Sequence, residues 1–153
     1  MEHRDSETQR IIKGDELNRL NQLSKNFIAA AIEVHRELGP GLLESVYEDC
    51  LCEELAFRGI RFQTQVEIPL VYKCRNTGKT FRIDMLIEDT LIVELKAVEE
   101  LRSVHEVQLL TYMKLAQKPI GLLINFNVPI LRDGIKRKIN GRVEYTGIKP
   151  IRE

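Results

Sequence analysis

The sequence predicts a single α/β domain built on a mixed sheet, in the order helix, helix, three strands, helix, strand and hairpin. The length of 153 residues suits one domain. Apolar residues recur at helical spacing up to about residue 58 and again between residues 103 and 118, whereas between these two regions they alternate or run continuously. A flexible segment, residues 1–15, is expected to precede the domain, which covers residues 16–153.

Two helices are expected to open the domain. The first ends at the glycines and proline of residues 39–41, and the second is predicted over residues 43–58. The motif GLLESVY at residues 41–47 places Glu44 in the first turn of the second helix. Glu44 there either complements the helix dipole or supplies a carboxylate to a site beside the sheet. Tyr47, one turn further on, is expected to hydrogen-bond within such a site.

Four strands are expected to follow. The run VEIPLVY alternates, and its Pro69 favours an edge strand or a bulge. The runs TFRIDMLI and LIVELKA, residues 80–87 and 91–97, complete an antiparallel meander. The run IGLLINF at residues 120–126 is continuously apolar, which predicts a strand buried on both faces and reached by a parallel crossover through the preceding helix. Asn140 and Gly141 then predict a tight C-terminal hairpin.

Composition excludes some classes and leaves others open. No apolar run reaches the length of a membrane span, no secretory leader is visible, and three cysteines suit a reducing compartment, so we expect a cytoplasmic location. The formal net charge is zero, but residues 37–60 carry six acids and one arginine, whereas residues 114–153 carry nine bases and three acids. This asymmetry is either ordinary solvated surface or a basic side that binds a phosphate backbone near an acidic, metal-binding side.

The hydrophobic pattern decides the register between the second and third strands. With a three-residue connection, one face of this pair is wholly apolar: Ile83, Met85, Ile87, Leu91, Val93 and Leu95. The other face then places Asp84 beside Glu94, with Cβ atoms roughly 4.5–5.5 Å apart, and Lys96 further along. Adjacent carboxylates in water-poor surroundings require a proton or a cation, and hard oxygen ligands favour Mg²⁺ or Mn²⁺. The alternative is an ion cluster on a solvated sheet face.

A polar stripe is predicted on the third helix. His105, Gln108 and Tyr112 fall on one face of that helix, among apolar neighbours. Such a stripe either meets a polar partner or forms a half-exposed helix edge.

These residues together resemble the PD-(D/E)XK nuclease superfamily. The resemblance is carried by Glu44, Asp84, the tripeptide ELK at residues 94–96, Gln108 and Tyr112. The runs GLLESVY, QLLTYM and GLLINF resemble the small prokaryotic GxxExxY proteins, and the likeness extends from Phe27 to Lys138. It implies a restriction-endonuclease-like αβββαβ core with an extra N-terminal helix and a C-terminal hairpin. One departure is Ile83, which precedes Asp84 where the superfamily motif has proline.

The resemblance also implies roles for individual residues. Asp84, Glu94 and the carbonyl of Leu95 would bind the metal, Lys96 would be the catalytic lysine, and Glu44 would match the acid of the first core helix.

Further residues are expected to orient or bind the substrate. By resemblance, Gln108 and Tyr112 would brace the site or contact DNA. Arg82 faces Lys96 in the predicted register and is expected to contact a phosphate. The C-terminal bases expected to bind the backbone without reading sequence are Lys136, Arg137, Lys138 and Arg142.

Three functional hypotheses follow. The leading one is a metal-dependent nuclease that hydrolyses phosphodiester bonds of nucleic acid, with DNA as the favoured substrate and Mg²⁺ or Mn²⁺ as cofactor. The second is a non-catalytic nucleic-acid-binding or accessory module that keeps the nuclease fold, and the third is a structural or interaction protein with a surface acid cluster. No membrane partner is expected. Homodimer formation and the choice between DNA and RNA stay open.

Overall fold

The computed structural model describes residues 10–144, which form three helices and seven strands. In chain order these elements are β1 (Ile11–Lys13), α1 (Gly14–Leu38), α2 (Glu44–Phe57), β2 (Phe62–Tyr72), β3 (Arg75–Ile87), β4 (Leu91–Lys96), α3 (Ser103–Ala116), β5 (Ile120–Asn125), β6 (Ile135–Ile139) and β7 (Arg142–Glu144). A short 3₁₀ turn, Leu131–Gly134, leads into β6. No helix among the described residues is both long and apolar enough to cross a membrane.

The main sheet has five strands in the order β2-β3-β4-β5-β6. Strands β2, β3 and β4 form an antiparallel meander, and β5 then pairs parallel with β4 after the crossover through α3. Strand β6 pairs antiparallel with β5. The predicted mixed sheet, with its meander and its crossover, is therefore confirmed.

The sheet is buried between two helical layers. Helices α1 and α2 cover one face, and α3 covers the other. Every residue of β5 is buried, as the continuous apolar run predicts. Gly121 lets α3 approach closely, because a Cβ atom at this position would lie 2.7 Å from Met113 Sδ and 2.9 Å from Leu109 Cδ1.

The register between β3 and β4 follows the prediction as far as the ladder extends. Met85 pairs with Val93 and Ile87 pairs with Leu91 across the three-residue connection. Beyond Met85 no further residues pair, and the strands separate.

One predicted face assignment is wrong. Ile83 does not join Met85 on the α1 and α2 side but packs under α3 with Leu86. The alternation of β3 side chains between the two faces is interrupted at Asp84, where pairing with β4 has ended. On the other side of β3, Gln65 of β2 lies opposite Asp84 and has a φ of 51°.

The predicted C-terminal hairpin is also wrong. The chain does turn at Asn140 and Gly141, but β6 pairs with β5, whereas β7 pairs parallel with β1 in a separate two-stranded sheet. Asn140 Nδ2 donates to the carbonyl oxygen of Lys118 at 3.2 Å, and this bond anchors the turn to the segment between α3 and β5. The amide of Arg142 then donates to the carbonyl oxygen of Arg10 at 2.8 Å, which directs β7 to β1.

The same pairing corrects the expected N-terminal boundary. Residues 11–13 form β1 and α1 begins at Gly14, so this part of the segment predicted to be flexible belongs to regular structure. Ile12 is fully buried, which explains why β1 is held in place. Residues 1–9 of that predicted segment lie outside the described part of the chain.

Candidate active site

The candidate site lies where β3 and β4 separate. The amide of Asp84 donates to Glu94 Oε2 at 2.8 Å, and the amide of Leu95 donates to Asp84 Oδ2 at 2.8 Å. Each carboxylate thus bonds to the backbone of the other strand, in place of the ladder bonds that end at Met85. The two acids lie side by side, as the hairpin register predicts. Within residues 10–144, Asp84 Oδ1 and Glu94 Oε1 accept no hydrogen bond, so one oxygen of each remains available to a ligand.

Glu94 is a buried acid with a strongly perturbed pKa. Its side chain is 6% exposed at the end of a fully buried stretch of β4. Burial raises the pKa of Glu94 to about 8, and the negative charge of Asp84 adds to this rise. The bond from the Asp84 amide and the charge of Lys96 act in the opposite direction. Without a cation, burial and the charge of Asp84 therefore favour the protonated form of Glu94 at neutral pH.

Helix α2 brings two further acids to the sheet. Glu44 is the first residue of α2, and its pKa is raised by partial dehydration and by Asp84, whereas Lys96 lowers it. Glu48 lies one turn on, and its pKa is raised chiefly by dehydration. Gln65 Nε2 donates to Glu48 Oε1 at 2.8 Å. Glu48 was not expected here from the sequence, although its spacing of four residues from Glu44 places both on one helix face.

Tyr47 does not contribute to the site, contrary to expectation. Its ring is fully buried and stacks on Phe126 with ring centroids 4.5 Å apart. Its hydroxyl donates to the carbonyl oxygen of Gly39 at 2.6 Å and accepts from the amide of Leu42 at 3.2 Å. Tyr47 therefore braces the loop that leads into α2, and so supports the position of Glu44.

Lys96 is followed by a segment that Asn125 holds in place. The carbonyl oxygen of Lys96 accepts from the amide of Phe126 at 2.9 Å, beside the end of β5. The buried Asn125 accepts from the amide of Val98 at 3.0 Å and donates to the carbonyl oxygen of Val98 at 2.9 Å. Asn125 was also not expected from the sequence, where its signal is one polar residue near the end of an otherwise apolar strand.

The three polar residues predicted to share one face of α3 lie in different environments. Tyr112 is half-buried and stacks on Phe81 at 4.8 Å, and its pKa is raised by burial and by the charges of Glu94 and Asp84. Gln108 is exposed, and no bond to its side chain is found within the described residues. His105 Nδ1 accepts from the amide of Arg102 at 3.0 Å, so this histidine caps its own helix.

The C-terminal bases do not form one surface. Arg137 donates to Asn21 Oδ1 of α1 at 2.6 Å, whereas Lys138 pairs with Glu106 of α3 at 2.7 Å. These neighbours lie on opposite faces of the sheet, because the side chains of β6 alternate. Lys136 and Arg142 are exposed on β6 and β7.

Arg82, by contrast, lies close to the acids. Its side chain is exposed, and its charge lowers the pKa of Glu48.

The donor set suits a hard divalent ion. Among residues 10–144, no three His, Cys, Asp or Glu side chains converge closely enough to bind a metal by themselves. Mg²⁺ commonly takes one or two carboxylates and completes its shell with waters and substrate phosphates. The free oxygens of Asp84 and Glu94 fit that requirement.

Comparison with known proteins places this architecture in a family. A family model described as the PD-(D/E)XK nuclease superfamily matches residues 21–138. The order α2, β2, β3, β4, α3, β5 is the αβββαβ core that the resemblance implies. One similar solved structure is described as "Crystal structure of SSO0001", with 20% identity and a TM-score of 0.45 over 90% of this chain and 70% of that chain. None of the curated proteins compared matches the chain.

Proposed function

Because this chain belongs to the PD-(D/E)XK nuclease superfamily, we propose that it is a metal-dependent nuclease that hydrolyses phosphodiester bonds of DNA in the cytoplasm. One observation carries the proposal. Asp84 and Glu94 are each oriented through one oxygen by a backbone amide of the neighbouring strand, which leaves the other oxygen for a ligand. Two preorganised carboxylates beside a lysine form an arrangement suited to phosphoryl chemistry.

Three groups would bind the ion directly. Asp84 and Glu94 supply carboxylate oxygens and Leu95 supplies its carbonyl oxygen. Glu44, at the start of α2, would position a second ion or the water shell of the first. When bound, Mg²⁺ or Mn²⁺ supplies Lewis acidity that polarises the phosphate and makes water a better nucleophile.

The remaining residues act on the substrate and on the attacking water. Lys96 orients that water or offsets the charge that develops on the phosphate in the transition state. Tyr112 and Gln108 of α3 orient the substrate or the lysine. Arg82 contacts a neighbouring phosphate as a fixed positive charge.

Cleavage assays test this proposal directly. Single- and double-stranded DNA and RNA are incubated with the protein in Mg²⁺, Mn²⁺ or EDTA, beside the variants Lys96→Ala and Lys114→Ala. Lys114 is an exposed lysine on α3 and serves as the matched control. We expect metal-dependent cleavage of DNA that falls roughly 100-fold or more in Lys96→Ala but not in Lys114→Ala. Absent cleavage, or equal cleavage by all three proteins, contradicts the proposal.

A non-catalytic nucleic-acid-binding module is the second candidate. It is favoured by the raised pKa of Glu94, because a neutral carboxyl group needs no cation in this site. Salt-sensitive binding that Mn²⁺ does not change, without any cleavage, would support this candidate over the first.

A further inference from the structure

Strands β2 and β3 continue together well beyond the end of β4. The pairing of β3 with β4 ends at Met85, whereas its pairing with β2 runs on to Tyr72 and Arg75. Residues 69–80, called the arm below, are exposed except for the half-buried Leu70. At about 3.3 Å per residue, the six arm residues of β3 extend up to about 20 Å.

The arm begins at the candidate active site. Phe81, at its base, stacks on Tyr112, and Asp84 lies three residues further along β3. The arm therefore projects from the end of the sheet at which β4 stops with Lys96.

The arm is a braced ribbon. Lys73 and Cys74 form its two-residue turn with φ values of 50° and 65°. The hydroxyl of Thr77 donates to the carbonyl oxygen of Leu70 at 2.8 Å, and the amide of Gly78 donates to Asn76 Oδ1 at 2.8 Å. These bonds pin the register shift that follows Pro69, and so give the ribbon a defined shape before any partner binds.

The charge of the arm has one sign. It carries Lys73, Arg75 and Lys79, and it contains no acid. None of these bases forms a salt bridge within residues 10–144, whereas Arg58, for example, directly follows α2 and pairs with Glu54 of that helix. These three positive charges lie beyond the acidic site along β2 and β3. They can therefore attract a polyanion that passes through the site and continues along the arm.

We propose that the arm binds the phosphate backbone of double-stranded DNA next to the segment at the active site. The substrate class in this statement rests on the proposed function. A duplex is the fitting occupant because the major groove of B-DNA, about 12 Å wide, admits a two-stranded ribbon. Lysine and arginine contacts to phosphates hold the duplex in place without reading its sequence.

The first test measures binding without cleavage. A labelled DNA duplex is titrated in EDTA with the full chain, with the triple variant Lys73→Ala/Arg75→Ala/Lys79→Ala, and with a control of equal charge change. The control replaces Arg19, Lys25 and Arg36, which are exposed on α1. Circular dichroism and thermal melting of each variant check that it is folded.

The expected result is a change in salt dependence. A plot of log affinity against log salt has a negative slope, and loss of three phosphate contacts makes this slope less steep by about 2.7. Between about 50 and 200 mM salt, wild-type affinity then falls about 40-fold more than that of the arm variant. The control keeps the wild-type slope. Equal slopes in the wild type and the arm variant would overturn the proposal, and equal dependence on the arm for a single strand of the same length would overturn the assignment to a duplex.

A second test uses the exposed Cys74 at the arm tip as a probe of position. Alkylation by a maleimide is followed by peptide mass mapping, with the half-buried Cys50 and Cys52 as internal references. Duplex DNA is expected to slow alkylation of Cys74 several-fold more than that of the references. Unchanged alkylation would overturn the proposal.

The two proposals fail independently. If the wild type binds DNA through the arm but cleaves none of the substrates, the arm proposal stands and the nuclease proposal is wrong. If the wild type cleaves DNA and substitution of the arm bases does not change binding, the nuclease proposal stands and the arm proposal is wrong.

Discussion

The variant Glu94→Gln is expected to stabilise the metal-free protein at high pH. The unfolded chain ionises near the ordinary pKa of 4.5, whereas folded Glu94 holds its proton up to about pH 8. Over this interval the folded state binds one more proton than the unfolded state, so the free energy of unfolding falls as pH rises. Glutamine stays neutral, and its side-chain oxygen can still accept from the Asp84 amide, so the variant lacks this fall.

The magnitude follows from the same two values. A difference between about 8 and 4.5, at 1.36 kcal/mol for each pH unit, amounts to about 5 kcal/mol. This is an upper value, because water entry and a shift of Lys96 towards the carboxylate reduce the cost of ionisation. The variant is therefore expected to match the wild type near pH 5 and to exceed it by up to about 5 kcal/mol near pH 9.

Urea denaturation in EDTA between pH 5 and 9 measures this difference. Glu88→Gln is the control, since the pKa of Glu88 is lowered, first by the Arg61 amide and then by its guanidinium. That change is expected to lower stability across the whole range without altering its slope. Parallel curves for Glu94→Gln and wild type would refute the reasoning, because Glu94 would then be ionised in the folded protein. Added Mn²⁺ is expected to stabilise the wild type at high pH and to leave Glu94→Gln nearly unchanged.

Three further substitutions probe the supports of the site. Asn125→Ala leaves the amide of Val98 without its partner and removes the shorter of two bonds to its carbonyl oxygen, so we expect about 2–3 kcal/mol of destabilisation and a lower kcat at unchanged KM, measured by denaturation and cleavage kinetics. Gly121→Ala places a Cβ atom 2.7 Å from Met113 Sδ and should cost about 1–3 kcal/mol of unfolding free energy. Tyr47→Phe removes both hydroxyl bonds of the loop before α2 and should lower stability by about 1–2 kcal/mol in thermal melts.

Each substitution has a matched control. Asn127→Ala removes one side-chain bond of 3.3 Å and should change kcat little, so an equal loss of kcat in both asparagine variants contradicts the positioning role of Asn125. Gly14→Ala meets no atom within 4 Å and should be neutral or stabilising. Tyr72→Phe alters a hydroxyl on a ring that is 64% exposed, and a loss as large as that of Tyr47→Phe would refute the loop-bracing role.

The hydrophobic pattern of β3 and β4 was sufficient to predict that Asp84 and Glu94 are neighbours. Pairing of Met85 with Val93 follows from the rule that one face of a strand pair must be apolar, and this register puts Asp84 beside Glu94. The rule fails at Ile83, because strand alternation assumes a continuous ladder and the carboxylates interrupt it. The interruption arises from side-chain bonds to the opposite backbone, which a hydrophobic pattern does not contain.

The C-terminal turn shows how far local signals reach. Asn140 and Gly141 do form a turn, yet the strand that follows pairs with β1, whose residues lie about 130 positions earlier in the chain. A turn motif predicts a change of direction, whereas the partner of the next strand depends on which edge is free in the folded protein.

The amino-acid sequence alone determined the order of the elements from α1 to β5, the crossover, the register of β3 with β4 as far as Met85 and the adjacency of Asp84 and Glu94, because hydrophobic period is a local property of the chain. Only the tertiary structure decided that Glu94 is buried enough to hold a proton, that α2 adds Glu48, and that the arm projects beyond the end of β4 with its three bases available. Burial, electrostatic coupling and exposure arise from contacts between elements distant in sequence, and those contacts exist only in the folded chain.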